Sequence, residues 1–402
     1  MNRILFLLIF GILSGCTPKI GSYFLTEENI VRLPQKKGIS NSPCLDPLNY
    51  APDPNYLDHT PVKFIKVNLH YMLSEDMRAG FSEGKSAEWM KSMYYSAQEA
   101  LANNIPAKLP EGNNIPVLPI RHRYRLVGKP GDPDDDGVYF HFDDECYYTI
   151  KKGKESTLYD RDMFERYGVQ KDSVLNVFYT NHHPDSIKSE TYGAFLSGVA
   201  LRNFVKIMWD FEQEDMKPWV GAANFNHEVG HIFGLVHAWA YNDGCDDTPK
   251  HPLTVHSSNI MDYNSIQKSW TPCQIGKFQM KMASTRSKQR KFLIDHWCRR
   301  DENKNITISD SIDWKGHKDL QGDVIIKKGG LLKIWCRTSI PPKGKILIEA
   351  GGKLVIGHHA KLHQSCGETW QGIEIQQFGK EVGVVEIIGN GKIEDIEDLE
   401  LP

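Results

Sequence analysis

The stretch His227-Glu228-Val229-Gly230-His231-Ile232-Phe233-Gly234-Leu235-Val236-His237 spaces three histidines and one carboxylate as H-E-x-x-H-x-x-G-x-x-H. On a helix His227 and His231 lie four residues apart on one face, with Cβ atoms roughly 5–6 Å apart, so both imidazoles reach one ion. Glu228 points off that face and serves instead as a general base that hydrogen-bonds a water held at the ion. Gly234 takes the left-handed conformation cheaply, which ends the helix and returns the chain so that His237 supplies a third imidazole. Three neutral imidazoles and one water are the donor set of a catalytic zinc site rather than a closed structural one. With 16 His and 33 Gly in 402 residues, these five fixed positions arise by chance in about one chain in ten thousand, which argues against a helix with incidental histidines.

Downstream, Asn259-Ile260-Met261-Asp262-Tyr263 resembles the Met-turn of the metzincin metalloproteases. Gly244-Cys245-Asp246-Asp247-Thr248-Pro249 and Trp270-Thr271-Pro272-Cys273-Gln274-Ile275-Gly276 narrow the resemblance to the pappalysin (cytophagalysin) branch. It covers roughly residues 60–298, and the long histidine motif is its most specific part. The resemblance implies a mixed α/β (α+β) zinc-protease domain whose upper part ends at the active-site helix and whose lower part carries the Met-turn. It further implies zinc on His227, His231 and His237, with Glu228 as general base. Met261 would be an apolar floor under the metal, and the Tyr263 hydroxyl would donate to the developing oxyanion. Protein or peptide substrates follow from the same likeness.

The elements that must position these groups read as follows. Val62 to Leu73 is a strand and Ala87 to Leu101 an amphipathic helix. Strands are expected at Arg121 to Val127, Val138 to Phe142, Val174 to Tyr179 and Tyr192 to Leu196, with the active-site helix from Val220 to Gly234 and a long helix from Gln274 to His296. His182 and His183 fall in a polar loop. Between two of the strands Asp132, Asp134 and Asp136, with Asp143 at the twelfth position, carry the oxygen-ligand spacing of a calcium loop, against which stands a solvated hairpin turn. Asp243 to Thr248 poses the same choice between calcium and a capped loop.

Arg3, the apolar run Ile4 to Leu13 and Leu13-Ser14-Gly15-Cys16 resemble a bacterial lipoprotein signal peptide, with cleavage before a lipid-modified Cys16. The apolar run is too short for a transmembrane span, which needs about 20 residues. The expectation is a lipid-anchored protein of the bacterial cell envelope, at the outer membrane or cell surface. Residues 1–15 are then the signal peptide, 16–60 a tether and irregular approach, 61–298 the catalytic domain, 299–305 a charged linker and 306–402 a β-rich accessory domain.

In that last region Val324 to Ile334 recurs 22 residues later as Ile346 to Ile356, each with a central Gly-Gly. Such a period fits coils of a short β-solenoid, with a small β-sandwich as the alternative. His358, His359 and His363 lie close in sequence there, as a turn between coils or a second metal site. Besides Cys16, seven cysteines remain, at 44, 146, 245, 273, 298, 336 and 366. The expected pairs are Cys245 with Cys273 and Cys336 with Cys366. Cys44 is a disulfide partner or, alternatively, a thiolate that blocks the metal in a latent form. A formal net charge of −3 gives no footprint for nucleic acid. The functional alternative to a protease is a surface binding or adhesion protein whose β domain acts while the zinc fold serves as scaffold.

Overall fold

The computed structural model describes residues 19–397 apart from 35–41, 77–82, 110–113, 150–159, 189, 191–196, 210–216, 239–242, 253, 254, 256 and 264–266. Cys16 and the strand expected at Tyr192 to Leu196 lie outside the described residues.

The eleven-residue strand Lys63–Leu73 is the spine of a mixed sheet. Its first half pairs parallel with His122–Leu126 and its second half with Val138–Phe142. On its other side Leu175–His182 and then Phe204–Trp209 follow in parallel, and Ser197–Leu201 closes the sheet as an antiparallel edge. Near-continuous burial along Lys63–Leu73 and Leu175–His182 is what a parallel sheet covered on both faces requires. His182 is the buried last residue of its strand rather than part of a polar loop.

The helices Glu83–Ala102 and Pro218–Ile232 lie side by side on one face. A Cβ at Gly221 would stand 2.8 Å from the Trp89 ring, so glycine permits that approach. Asn226 ties the pair to the sheet by donating to Ala97 O at 3.2 Å and accepting from the Tyr124 hydroxyl at 2.8 Å. The helix Asp160–Tyr167 covers the opposite face through Met163 and Phe164.

The helix expected to run to His296 stops early, spanning Pro272–Ala283. Its last carbonyls are taken by guanidinium groups: Arg290 donates to Met282 O at 3.0 Å and Arg337 to Ala283 O at 2.9 Å. Ser287 then caps a 3₁₀ turn, Lys288–Phe292, that delivers Leu293 to a bridge with Ile65. Helix-favouring residues yield here to tertiary partners for the backbone.

Residues 306–393 form a three-sided parallel solenoid of four coils. Two faces repeat at the period read from the sequence, with Val324 paired to Ile346 and Leu332 to Leu354. Gly329 and Gly351, 22 positions apart, both sit at positive φ, +82° and +83°, and turn the chain from one face to the next. Inward Ile, Leu and Val residues make a core separate from that of the mixed-sheet domain. Lysine–glutamate pairs such as Lys327–Glu349 and Lys353–Glu386 bridge successive coils outside. His363 ends a strand, Lys361–His363, while His358 and His359 occupy a turn, and these three do not converge on a common metal position.

Three expectations about the chain's organisation are corrected. The segment 16–60 is not merely a tether, because Ile20–Phe24 and Val31–Leu33 add strands to the far end of the solenoid. Cys336 pairs with Cys44 and Cys366 with Cys298, whereas Cys245–Cys273 forms as expected. Cys44 is thereby a disulfide partner and not a thiolate, and Cys146 is a buried free thiol. The stretch 299–305 is packed rather than a linker, with Arg300 forked onto Asp323 at 2.9 and 2.6 Å.

The two domains meet at a buried carboxylate. Asp319 of the first coil accepts from Lys63 at 2.8 Å, from Arg290 at 2.9 and 3.0 Å and from Arg337 at 2.8 Å. Burial alone would raise its pKa, but Lys63, Arg337 and Arg290 hold it well below the usual carboxylate range.

Candidate active site

The helix Pro218–Ile232 ends in a Schellman motif. Gly234, at φ +91°, donates its N–H to His231 O at 3.0 Å, and Leu235 donates to Gly230 O at 3.0 Å. The reversal carries His237 back under the helix. His231 Nε2 lies 3.1 Å from His227 Nε2 and 3.0 Å from His237 Nε2. Three ring nitrogens this close are a group that could hold a metal ion.

The rings are oriented from behind. His227 Nδ1 donates to Ile260 O at 2.7 Å and His231 Nδ1 to Leu235 O at 2.9 Å. Those bonds fix the tautomer, leaving each Nε2 free of a proton toward the centre. Burial, reinforced by the adjacent imidazoles, pushes His227 down to about 3 and His237 down to about 4. Both rings are therefore neutral at pH 7, the state in which imidazole ligates.

Met261 is fully buried beneath the helix, and a Cβ at Gly230 would stand 2.8 Å from its sulfur. The glycine before the second histidine thus admits the Met261 side chain. The turn is pinned twice over: Met261 N donates to Asn259 Oδ1 at 2.9 Å, and the Asn259 and Gln274 amides exchange two 2.9 Å bonds. Ala238 N reaches Met261 O at 3.2 Å and joins the third histidine's loop to it. Asp262 accepts from Tyr263 N at 2.7 Å and faces His251 at 3.4 Å, both side chains buried. Tyr263 itself is 49% exposed, with its ring edge-on to His237 at 4.3 Å.

Glu228 is buried on the helix beside the histidines, facing the edge strand, where Gly198 packs against its carboxylate. A cleft of about 1010 Å³ opens over this floor. Gly198 and Val199 line one wall and Val236 and Tyr263 another. The outer edge of Ser197–Leu201 pairs with no strand among the described residues.

Residues 132–143 do not build a cation site. Asp135 organises the turn, accepting from Gly137 N, Lys129 N and the Tyr139 hydroxyl. Asp132 accepts from Asp134 N, Asp136 pairs with Lys91, and Asp143 turns to Arg166 and Tyr167. The calcium reading gives way to a hairpin turn because the carboxylates of Asp132, Asp136 and Asp143 are engaged elsewhere, and among the described residues the four do not converge on one position. The loop at Asp243 to Thr248 is likewise a capped one: Asp243 accepts from Cys245 N and Thr248, and Asp247 from Thr271 and Cys273 N.

The sequence reading gave no role to Gly198, Asn259, His251 or Gln274, although Asn259 and Gln274 stand in the stretches it singled out. A signal for Gln274 was present, since Thr271-Pro272-Cys273-Gln274 is a capping box with proline at its first helical position. No local pattern marks Gly198 or His251.

No protein-family model matches the chain, and no curated protein matches it. Solved structures to which it is similar include Tannerella forsythia mature mirolysin in complex with a cleaved peptide, at 16% identity, 57% of this chain, 95% of that one and a TM-score of 0.41. Mirolysin in complex with compound 9 is 17% identical over 58% and 96% of the two chains, TM-score 0.40. A mutant of Tannerella forsythia promirolysin is 15% identical over 59% and 86%, TM-score 0.42.

Proposed function

We propose that the chain is a zinc-dependent endopeptidase of the metzincin type. The observation that carries the reading is the convergence of His227, His231 and His237 Nε2, with two Nδ1 atoms held by main-chain carbonyls, on the floor of an open cleft. Three neutral nitrogen donors and one open side suit zinc in a catalytic role. When bound, zinc polarises the scissile carbonyl and acidifies a water at that open side.

The chain's own residues do the rest. An extended peptide adds to the free edge of Ser197–Leu201 through main-chain hydrogen bonds, which aligns its backbone across the cleft. Glu228 takes a proton from the attacking water on its carboxylate and passes it to the leaving amine. Tyr263 donates its hydroxyl to the developing oxyanion, with Asp262 fixing its backbone. Cys16 is the lipid-modified residue that holds the protein at the bacterial envelope.

Replacing Glu228 by Ala tests the division of roles. The variant should retain about one zinc per chain and lose cleavage of denatured casein, because the ligands survive and the base does not. Undiminished cleavage in a zinc-loaded variant, or wild-type cleavage insensitive to chelators, overturns the proposal.

A further inference from the structure

One polar side chain of the cleft is left unanswered by the fold. Asn224 stands in the helix Pro218–Ile232, three residues before His227 and four before Glu228. At that spacing its Cβ lies about 5–6 Å from theirs. It lines the cleft beside both, is 8% exposed, and its Oδ1 is buried with no hydrogen-bond partner among the described residues. The next asparagine of the same helix shows the contrast: Asn226, also buried, accepts from the Tyr124 hydroxyl and donates to Ala97 O. A buried acceptor without a partner destabilises a fold, so one that stands in a binding cleft marks a place where a ligand's donor belongs.

Aliphatic residues surround it, with Val199, Ala200, Val220, Ala223, Ile232 and Leu235 in the lining. Apolar walls with a few polar groups are how a pocket fixes the orientation of what it binds.

The charges of the lining decide which side chain fits. Glu228 is its one carboxylate among the described residues. An acidic side chain at Asn224 stands one helical turn from Glu228 and is repelled. Arg202, the other charge of the lining, lies in the turn after the edge strand, about 14 Å along it from Gly198, and draws an acidic side chain away from Asn224. A cationic side chain finds no carboxylate there except Glu228, and pairing with it takes the base out of use. An aliphatic one buries Asn224 still unpaired. A primary amide is neutral and brings both a donor and an acceptor, and the Asn224 amide can match each.

We propose that Asn224 is a specificity-determining residue that receives the side chain of a substrate Asn or Gln. The proposal rests on the endopeptidase reading above. Because the three histidines and Glu228 act at the scissile bond, a side chain that reaches Asn224, one helical turn away, belongs to one of the two residues flanking that bond.

The test measures kcat/KM of the zinc-loaded protein on short peptides in which each flanking residue in turn is Gln, Met, Glu or Lys. Gln should exceed the other three by at least about tenfold at one flanking position, since a site built to hydrogen-bond a substrate group rejects analogues lacking it. Asn224→Leu should bring the Gln-to-Met ratio to within about twofold of one, and Asn224→Asp, which matches asparagine in shape, should favour Lys over Gln. A ratio taken within one zinc-loaded variant is unaffected by a general loss of rate, and Asn224→Asp carries the test if leucine prevents folding. Equal rates, or a preference for Met, Glu or Lys, at both flanking positions of the wild type overturn the proposal. So does an unchanged Gln-to-Met ratio in folded Asn224→Leu, which would leave Asn224 a structural role only. A zinc-loaded wild type that cleaves neither these peptides nor denatured casein removes the endopeptidase reading and this proposal together, whereas cleavage with another preference removes this proposal alone.

Discussion

Gly198 of the edge strand lies against the Glu228 carboxylate so closely that a Cβ there would stand 2.6 Å from Oε1 and 2.5 Å from Cγ. The strand proposed to hold the substrate and the residue proposed to move its proton are thus in van der Waals contact. Gly198→Ala should therefore push the Glu228 side chain aside. The expected result is a fall in turnover of about 10–100-fold, since a misplaced base loses much of its catalysis. Zinc content and thermal stability should stay near the wild type, and an unaltered rate would show that Glu228 acts from another rotamer.

Tyr263 stands against His237 at the mouth of the cleft, supported by Asp262, which is itself held by Ser257 and His251. Tyr263→Phe should lower turnover by about 10–1000-fold with little change in KM, the pattern for a donor used only in the transition state. A wild-type rate removes Tyr263 from the mechanism.

Asp319 answers three buried cations across the domain seam. Its replacement by Ala leaves Lys63, Arg290 and Arg337 uncompensated and should cost about 3–5 kcal/mol in chemical denaturation. A chain stopped at Arg300 loses the same carboxylate together with the partners of Cys44 and Cys298. It should fail to give a cooperative unfolding transition. A stable, zinc-loaded fragment of that length would show the solenoid to be dispensable.

His122 is enclosed between Phe278 and Trp270, with ring centroids 4.1 and 5.5 Å away, and burial pushes it down to about 3. Its Nε2 has no hydrogen-bond partner among the described residues. A histidine whose folded pKa lies below its unfolded value of about 6.5 contributes stability above pH 6.5 that is lost as pH falls toward the folded value, at up to about 1.4 kcal/mol per pH unit. His122→Phe fills similar space without the titrating ring. Its Tm should fall less steeply than the wild type's between pH 6.5 and 4, and equal slopes would show that the buried ring takes up its proton without unfolding.

The convergence of the three histidines was legible in the sequence because it is local. The spacing of His227, His231 and His237 and the turn at Gly234 depend on helix geometry and on one residue's allowed φ, which four to ten neighbouring residues specify. The 22-residue period, too, needs only successive coils that place like residues in register, as Leu332 and Leu354 do. What only the tertiary structure decided depends on partners far along the chain. Cys44 reaches Cys336 across 292 residues, and Ile20–Phe24 pairs with Gly372–Phe378. The helix from Pro272 ends where Arg290 and Arg337 take its carbonyls, and the acidic turn at Asp132 is spent on Asp135's own hydrogen bonds instead of a cation. No local propensity records such choices, since each is settled by which distant group arrives to satisfy a backbone or a charge.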